Sequence, residues 1–337
     1  MLLRPFHSLA RIISRNHFRI LFYHRVNTSK NPFIIDPAQF EVQIRYLAGH
    51  FNILGLSEFL DLIAGRKPIR NGLLITFDDG YQDNYTHAYP VLKKYGLPAA
   101  IFLTTDFIDG THWLWFDKIR YVLEALPSGT PTAEIGGRKF TLNLTDEIAK
   151  GETRLRIYLH LNSLDYRPRM EAILTWAGRM NLAIPDKPVG EYAPLSWDQV
   201  REMAKNRIEF GSHTRSHEIL SHLKPMDAVH EFAHSKKRIE TELQRPVCTV
   251  AYPNGQSSDY NEETKRLAQQ CGYHYAFTTQ SELIGDFRKL DRLAIGRIFP
   301  GVQCDDFFRS NITGLNSIKK NIKEILPKYR SFLKAAV

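Results

Sequence analysis

Two adjacent carboxylates, Asp78 and Asp79, directly follow the apolar run "LLITF" at residues 73–77. Like charges side by side at the edge of a core repel each other and must lose their water. One of them therefore titrates abnormally unless a cation lies close by. A divalent metal ion would allow both carboxylates to stay ionised. The pair therefore predicts a cation site, provided that other parts of the chain supply further ligands.

The segment "IEFGSHTRSHEIL" supplies two such ligands, since the apolar run 208–212 is followed by His213 and, four residues later, by His217. Neutral imidazoles suit zinc and similar ions, and a carboxylate is a common third ligand. Two histidines and one aspartate leave coordination positions open, as in catalytic metal sites. Two histidines alone are more often ordinary surface or core residues, but a second polar cluster after another apolar run strengthens the metal hypothesis.

Short apolar runs without strict alternation are typical of strands that are covered on both faces. Helical patterns alternate with these runs, which predicts an α/β protein with a parallel sheet or barrel. In such barrels the chemistry gathers at the carboxyl ends of the strands. Asp78, Asp79, His213, His217 and the turn "AYPNG" should therefore meet at one rim. The predicted strands are 19–26, 73–77, 99–105, 208–212, 248–253, 275–279 and 294–299, and the predicted helices are 36–50, 84–96, 196–206 and 261–272.

Residues 111–194 interrupt this alternation. They contain "GGRKFTLNL", which predicts a small hairpin, and a polar helical region over 146–179. We interpret the segment as an insertion between two barrel units and not as a separate domain. The predicted organisation is a basic N-terminal segment over 1–18, a barrel over 19–313 that contains the insertion, and a basic amphipathic tail over 314–337.

Composition limits the class of protein. The 337 residues are 43% hydrophobic, which indicates a globular protein with a substantial core. Three singly spaced cysteines argue against a disulfide framework. We find neither a secretory signal nor a run of roughly 18 apolar residues that could span a membrane, and therefore expect a cytoplasmic protein. The formal net charge of +9 suggests an acidic partner surface, although solubility alone would also explain it.

Three short motifs resemble those of the polysaccharide deacetylases, which form carbohydrate esterase family 4 and share the NodB homology domain. "TFDDG" at 76–80 is similar to the first motif, "SHTRSH" at 212–217 to the second and "YPNG" at 252–255 to the third. The resemblance covers roughly residues 19–300 and leaves out the insertion. It implies a distorted (β/α)7–8 barrel.

The resemblance also implies roles for these residues. Asp79, His213 and His217 would bind one divalent ion, with zinc expected and Ni²⁺, Co²⁺ or Fe²⁺ as alternatives. Asp78 would act as the general base, because the ion polarises the amide carbonyl and acidifies the attacking water. The "YPNG" turn, with Tyr252 and Asn254, would lie at the substrate, where a backbone N–H of the turn, that of Asn254, would stabilise the oxyanion.

Several positions depart from the family pattern. The third motif often carries an arginine that orients the base, and Ala251 stands at that place here. Arg297 in "AIGRIF" could pair with Asp78 instead, or it could be an ordinary surface cation. The late histidine that usually acts as general acid has no match, and His24 at the end of the first predicted strand is our candidate, with a purely structural role as the alternative. Thr214 could brace the loop between the histidines or face solvent.

The leading functional hypothesis is a metal-dependent hydrolase that removes an N-acetyl or other N-acyl group from an amino sugar. An amidohydrolase acting on a small non-sugar amide and an inactive basic binding module are the alternatives. No phosphate-binding loop or nucleic-acid motif is present, so we expect no nucleic-acid partner.

Both termini carry basic residues among apolar ones, a pattern typical of segments that contact anionic lipid. The resemblance implies an envelope or extracellular glycan as substrate, and no export signal is found. We therefore expect the enzyme to act at the inner face of the membrane, on an envelope glycan or its lipid-linked precursor. Ordinary solvated helix faces would give the same pattern. The basic residues are Arg4, Arg11, Arg15 and Arg19 at one end and Lys319, Lys320, Lys323, Lys328, Arg330 and Lys334 at the other.

Overall fold

The computed structural model of the protein describes residues 4–29, 34–65 and 69–315. Its strands are β1 (Arg19–Tyr23), β2 (Asn52–Leu54), β3 (Gly72–Phe77), β4 (Ala99–Leu103), β5 (Thr132–Ile135), β6 (Arg138–Thr141), β7 (Ile208–Ser212), β8 (Thr249–Ala251) and β9 (Tyr275–Phe277). Its helices are α1 (Arg4–Ile13), α2 (Pro37–His50), α3 (Leu56–Gly65), α4 (Tyr89–Lys94), α5 (Thr105–Ile108), α6 (Trp115–Ala125), α7 (Glu147–Asn162), α8 (Tyr166–Arg179), α9 (Trp197–Ala204), α10 (Pro225–Leu243), α11 (Glu262–Gln270) and α12 (Asp306–Thr313).

Seven strands form one curled parallel sheet in the order β1–β3–β4–β7–β8–β9, with β2 paired to the first half of β3. Residues 294–299, predicted as a strand, form only isolated parallel bridges in the described structure. Ile298 bridges to Leu21 of β1, and Ile295 bridges to Phe277 of β9. This segment therefore connects the two outer strands of the curled sheet without becoming a strand itself, which gives the barrel its distorted form.

The sheet is covered on both faces, as the unbroken apolar runs predicted. Every residue of β1, β3 and β4 is buried. Neighbouring residues along a strand enter different hydrophobic clusters: Leu21 and Leu73 belong to one, and Ile20 and Leu74 belong to another. This alternation follows from the period of two residues in a strand.

Three of the four predicted helices begin at the residue that caps them. The side chain of Asp36 accepts hydrogen bonds from the first turn of α2, and Ser196 forms a capping box with Gln199 at α9. The side chain of Asn261 accepts a hydrogen bond from the N–H of Thr264 in the first turn of α11. The predicted helix 84–96 is divided into a π-helical turn over Asn84–Ala88 and α4. The sequence analysis missed β2 and several helices, α6 among them.

Residues 111–194, which we interpret as an insertion, contain a hydrophobic cluster of their own. Residues of α6, α7, α8 and the β5–β6 hairpin pack together around Trp115 and Trp176. The predicted hairpin and the predicted helical region are both present, the latter as α7 and α8. The segment therefore has a small hydrophobic core of its own.

The two ends of the described chain meet. Ser14, just after α1, donates a hydrogen bond from Oγ to the carbonyl of Thr313 at 2.7 Å. Arg19, predicted to take part in a lipid contact, is instead fully buried in β1, where its guanidinium binds the carbonyls of Ile312 and His17. The basic tail after Leu315 lies outside the described residues. Among the described helices, none combines the length and the apolar character that crossing a bilayer requires.

Candidate metal centre and active site

The loops that follow four parallel strands meet at one edge of the sheet. His24 follows β1, Asp78 and Asp79 follow β3, His213 follows β7, and Asn254 lies in the turn after β8. Because these strands are parallel, their carboxyl ends lie at the same rim. These residues therefore lie at one rim of the sheet, as the sequence predicted.

Asp79, His213 and His217 form a buried cluster whose ligand atoms all lie within 4.8 Å of one another. The Nε2 atoms of both histidines are 3.5 Å from Oδ1 of Asp79. Oδ1 is buried and has no hydrogen-bond partner among the described residues, which is costly for a carboxylate unless a cation is bound. Two imidazoles and one carboxylate match the ligands of a catalytic zinc site, so this set fits a divalent ion.

The orientation of His213 favours metal binding through Nε2. Its Nδ1 donates a hydrogen bond to the carbonyl of Ala251 at 2.8 Å, which fixes the ring and leaves Nε2 as the lone-pair nitrogen. Burial lowers the pKa of His213 to about 4, although the Asp78 carboxylate opposes this shift. Burial and the neighbouring His213 hold the pKa of His217 well below its usual value. Both imidazoles are therefore neutral at neutral pH, the form that binds a metal.

The two adjacent carboxylates differ sharply in their pKa values. Burial alone would raise the pKa of Asp78, but the Arg297 guanidinium and His213 bring it down to about 2. Burial and the Asp78 charge raise the pKa of Asp79 well above its usual value. The abnormal titration expected of one carboxylate thus falls on Asp79, the residue of the pair that lies between the two histidines.

Arg297 is fully buried and lies against Asp78. Its Nη1 and Nη2 atoms donate to Oδ1 and Oδ2 of the carboxylate, each at 2.7 Å. Of the two interpretations of Arg297, the pairing with Asp78 is therefore the one present in the structure, and a surface position is wrong. The orienting arginine comes from the segment beside β1, in place of the third motif.

Several residues in the loops of the site have a left-handed backbone conformation. Non-glycine residues with positive φ include Asp79 (φ 74°), Thr214 (φ 65°), His217 (φ 61°) and Asn254 (φ 58°). This conformation is rare for a β-branched residue such as threonine, and residues of this kind cluster at functional sites. Thr214 is buried and its Oγ1 accepts a hydrogen bond from the N–H of His217 at 3.2 Å. Thr214 therefore braces the loop and does not face solvent.

His24 lies on the wall of a cavity that also contains Asp79. Its imidazole is accessible from the cavity, while the surrounding protein lowers its pKa and the Asp78 carboxylate opposes that shift. Its role as general acid stays a prediction.

Tyr252 and Asn254, the two residues predicted to lie at the substrate, differ in which hydrogen-bond donors they could direct at an oxyanion. The hydroxyl of Tyr252 donates to the carbonyl of Leu293 at 3.0 Å, and its N–H donates to the carbonyl of Phe277. Tyr252 therefore has no donor left for an oxyanion, and its assignment to the substrate site is corrected. The backbone N–H of Asn254 makes no hydrogen bond within the described residues, so its predicted role stays open.

Residues of the insertion reach the site, which the sequence analysis did not foresee. The ring of Phe116 lies 5.3 Å from that of His217, and the hydroxyl of Tyr81 donates to Oδ2 of Asp117 at 2.7 Å. Phe116 and Asp117 are both in α6, and the signal that could have identified them is a single carboxylate within the aromatic run "WLWFD". Together with His24 and Asp79, these residues line a cavity of about 320 Å³.

The fold is a distorted parallel α/β barrel that carries a candidate metal centre at the carboxyl ends of its strands. Residues 65–131 and 169–276 match the model of the polysaccharide deacetylase family. The chain belongs to this family, whose members are hydrolases that act on amide bonds. The family predicted from the three motifs is therefore confirmed.

Individual relatives agree with this assignment. The chain is 27% identical over 290 residues to YxkH of Bacillus subtilis, which is named for the same family, and the alignment covers 86% of this chain and 74% of YxkH. It is 27% identical over 232 residues to the poly-β-1,6-N-acetyl-D-glucosamine N-deacetylase of Staphylococcus epidermidis, covering 58% of this chain and 72% of that protein.

Solved structures share the fold. The deacetylase PplD of Streptococcus pyogenes, in complex with acetate, superposes with a TM-score of 0.58 at 19% identity, covering 88% of this chain and 96% of PplD. IcaB of Ammonifex degensii superposes with a TM-score of 0.54 at 19% identity, covering 88% and 96% of the two chains. The predicted distorted (β/α)7–8 barrel is thus confirmed.

Proposed function

We propose that this protein is a metal-dependent N-deacetylase that hydrolyses the N-acetyl group of an amino sugar. The observation that carries the proposal is the Asp79–His213–His217 cluster beside Asp78 at one rim. A divalent ion held by these three residues would supply Lewis acidity toward the amide carbonyl. An unpaired buried carboxylate oxygen next to two neutral imidazoles favours such an ion over a purely structural cluster.

The remaining steps belong to side chains and backbone of this chain. Asp78, held ionised by Arg297, accepts a proton from the water that attacks the carbonyl carbon. The backbone N–H of Asn254 stabilises the negative charge that develops on the carbonyl oxygen. His24 gives a proton to the nitrogen as the C–N bond breaks, so that the products are a carboxylic acid and a free amine.

The substrate we propose is an N-acetylated amino sugar of an envelope glycan or its lipid-linked precursor. The staphylococcal relatives are named as N-deacetylases of poly-β-1,6-N-acetyl-D-glucosamine, which supports an N-acetylated sugar. Zinc is the ion we propose, because two imidazoles and a carboxylate are ligands that zinc prefers.

A location at the inner face of the membrane is a second part of the proposal. It is supported by α1, in which Phe6, Leu9, Ile12 and Ile13 are each more than half exposed. The net charge of +9 would favour contact with anionic lipid. Asn71, at the start of β3, donates to the carbonyl of Arg15, so the end of α1 lies near the amino ends of the strands. In this arrangement the lipid contact would lie away from the rim that carries the site.

The test is acetate release from N-acetylated monosaccharides, oligosaccharides, lipid-linked sugars and non-sugar amides, with and without chelator. We expect release from sugars that chelator abolishes and added zinc restores. Asp78→Asn should keep the metal but lose about 10²–10⁴-fold in turnover, the usual contribution of a general base. Release from non-sugar amides alone would instead favour an amidohydrolase, and near-native turnover in Asp78→Asn would remove Asp78 from the mechanism.

A further inference from the structure

The insertion contacts three of the four loops that build the site, those after β3, β7 and β8. Asp117 of α6 accepts the hydrogen bond of Tyr81, two residues after Asp79. Phe116 packs against the ring of His217. Tyr158 of α7 donates from its hydroxyl to Oδ1 of Asn254 at 3.1 Å. The insertion is thus packed over the rim, and its position is tied to the catalytic loops.

These contacts leave a small cavity between the insertion and the rim. Its volume of about 320 Å³ is at the lower end of the roughly 300–1,000 Å³ that small-molecule sites occupy. Its lining combines apolar side chains of the insertion, among them Phe116, Ile119 and Leu155, with Asp79 and His24 of the rim loops. The space suits one sugar ring with its acyl group, and a continuous chain of rings would need a longer groove.

Asp117 is the polar group of the insertion best placed to recognise a sugar. It is only 4% exposed and lines the cavity. Tyr81 occupies Oδ2, while Oδ1 receives no hydrogen bond from the described residues. A carboxylate oxygen accepts strong, charge-assisted hydrogen bonds, and ring hydroxyls are donors that could supply them.

The lining of the cavity offers hydrogen-bond donors as well. Arg25 and Arg120 line the cavity, and each has a buried Nη1 atom without a hydrogen-bond partner among the described residues. A neutral polyol can satisfy donors and acceptors together. An anionic ligand would meet the carboxyl groups of Asp79 and Asp117 in the same cavity. The lining holds three arginines, Arg25, Arg120 and Arg154, and Arg25 and Arg120 are already paired with carboxylates.

We propose that this cavity holds a single N-acylated sugar ring, at the end of a glycan or in a small conjugate, and that Asp117 selects it by accepting hydrogen bonds from its hydroxyls. The inference rests on the proposed N-deacetylase function and assigns the insertion to substrate selection. Asp117 is a substrate-binding residue in this scheme, because it contacts the ring and takes no part in the proton transfers at the amide.

The first test compares the full-length wild type with Asp117→Asn, loaded with zinc, on an N-acetylglucosamine disaccharide and on an aryl acetate, which has no sugar hydroxyls. We expect the KM for the disaccharide to rise about 10- to 100-fold, as loss of a hydrogen bond to a charged group predicts. The kcat for the disaccharide and the turnover of the aryl acetate should change little. Asp186→Asn, a change at a carboxylate elsewhere in the same insertion, is the matched control.

The outcomes separate this inference from the function on which it rests. A wild type that cleaves aryl acetate but no N-acetylated sugar overturns the proposed function and this inference with it. Normal sugar cleavage with an unchanged KM in Asp117→Asn overturns this inference alone. A parallel loss on both substrates would show that Asp117 supports the fold or the catalytic loops, and would also overturn it.

Substrate length gives an independent test. A cavity for one ring predicts that kcat/KM for β-1,6-linked N-acetylglucosamine oligosaccharides stays within a few-fold as units are added beyond the second. It also predicts that acetate is released first from a chain end, which mass spectrometry of the products would detect. A steep rise of kcat/KM with length, or release from internal units, would show an extended groove and contradict the inference.

Discussion

Asp78 and Arg297 form a buried, two-point ion pair in which each carboxylate oxygen accepts one guanidinium hydrogen bond at 2.7 Å. The guanidinium is itself fixed, since Nε donates to the carbonyl of Thr278 at 3.0 Å and Nη1 also reaches Oγ1 of Thr76 at 3.2 Å. A planar guanidinium can hold both oxygens at once, which the single ammonium of lysine cannot. The pair therefore fixes both the direction and the ionisation of the proposed base.

Replacement of Arg297 by lysine should change the pH dependence of the reaction. With a pKa of about 2, Asp78 is ionised at every pH above roughly 3 in the wild type, so its protonation does not limit activity at mild pH. In Arg297→Lys the burial of Asp78 is less well compensated and its pKa rises. The acid limb of kcat/KM should therefore move to higher pH, with a loss of about tenfold or more at neutral pH.

The measurement is a pH profile of kcat/KM on the best substrate found. Arg292→Lys, a change at an exposed arginine, is the control for the loss of a guanidinium. An acid limb at the same pH in both variants would contradict the role of Arg297 in holding Asp78 ionised.

Metal content should depend on His213 and not on histidines elsewhere. His213→Ala removes a ligand that is held in place by the carbonyl of Ala251, so the purified variant should contain much less than one ion per chain. His234→Ala, which removes an exposed imidazole on α10, should keep the wild-type content. Elemental analysis of protein purified without chelator measures both, and equal content in the two variants would rule out this centre.

The parts of the site that could be predicted from the sequence are those encoded by short, local patterns. Asp78 and Asp79 after one apolar run and His213 and His217 after another identify strand ends, and the parallel sheet then brings them together. Arg297 could be suggested only as one of two options, because its distance from Asp78 depends on how residues 294–299 bridge the outer strands.

What the sequence could not provide is the long-range packing of irregular segments. The run 294–299 is apolar enough for a strand, but it pairs only at Ile295 and Ile298. The run "WLWFD" marks Asp117 as unusual but does not show that it would meet Tyr81, since that contact depends on how the whole insertion packs on the rim. Tyr252 was misassigned because motif position says nothing about where its hydroxyl points.

In the metal-free protein, His213 should favour unfolding as the pH falls from 6.5 to 4, whereas the raised pKa of Asp79 acts in the opposite direction. Burial lowers the pKa of His213 from 6.5 in the unfolded chain to about 4 in the folded one. Between these values the unfolded state binds more protons, so acid favours unfolding. A tenfold difference in proton affinity between the two states corresponds to about 1.4 kcal/mol, so His213 alone contributes roughly 2–3 kcal/mol over this range.

Thermal unfolding in chelator, followed at several pH values, tests this effect. The drop in Tm between pH 6.5 and pH 4 should be larger for the wild type than for His213→Gln, which has no titrating group at this position. His234→Gln should behave as the wild type does. Identical pH dependence in the wild type and His213→Gln would contradict the prediction.

Gly80 should be required at the end of the first motif for a steric reason as well as a conformational one. Its φ is +89°, and an added Cβ would lie 2.7 Å from Ile108 and 2.9 Å from Leu103. Gly96 also has a positive φ, +64°, but no atom lies within 4 Å of the added Cβ. Gly96→Ala should therefore cost only about 1–2 kcal/mol, the strain of the left-handed backbone.

Gly80→Ala should cost more than Gly96→Ala and should also lower metal content, because the neighbouring Asp79 must move with the backbone. Denaturant unfolding and elemental analysis of the two variants give the comparison. Equal stability losses, or an unchanged metal content in Gly80→Ala, would show that the loop can absorb the methyl group and that its close packing does not position Asp79.

The exposed apolar face of α1 should mediate contact with anionic lipid. Removing Leu9, Ile12 and Ile13 together by substitution with serine takes away most of the apolar surface that could insert, while the neighbouring basic residues remain. We expect the full-length wild type to sediment with vesicles that contain phosphatidylglycerol, more so as the anionic fraction rises and less as salt is added. The triple variant should bind at least about tenfold more weakly.

A variant with Ile148→Ser and Leu159→Ser, which removes exposed apolar side chains from α7, should still bind. Equal binding by the two variants would exclude α1 as the contact, and a wild type that stays in the supernatant at every lipid composition would refute the membrane proposal.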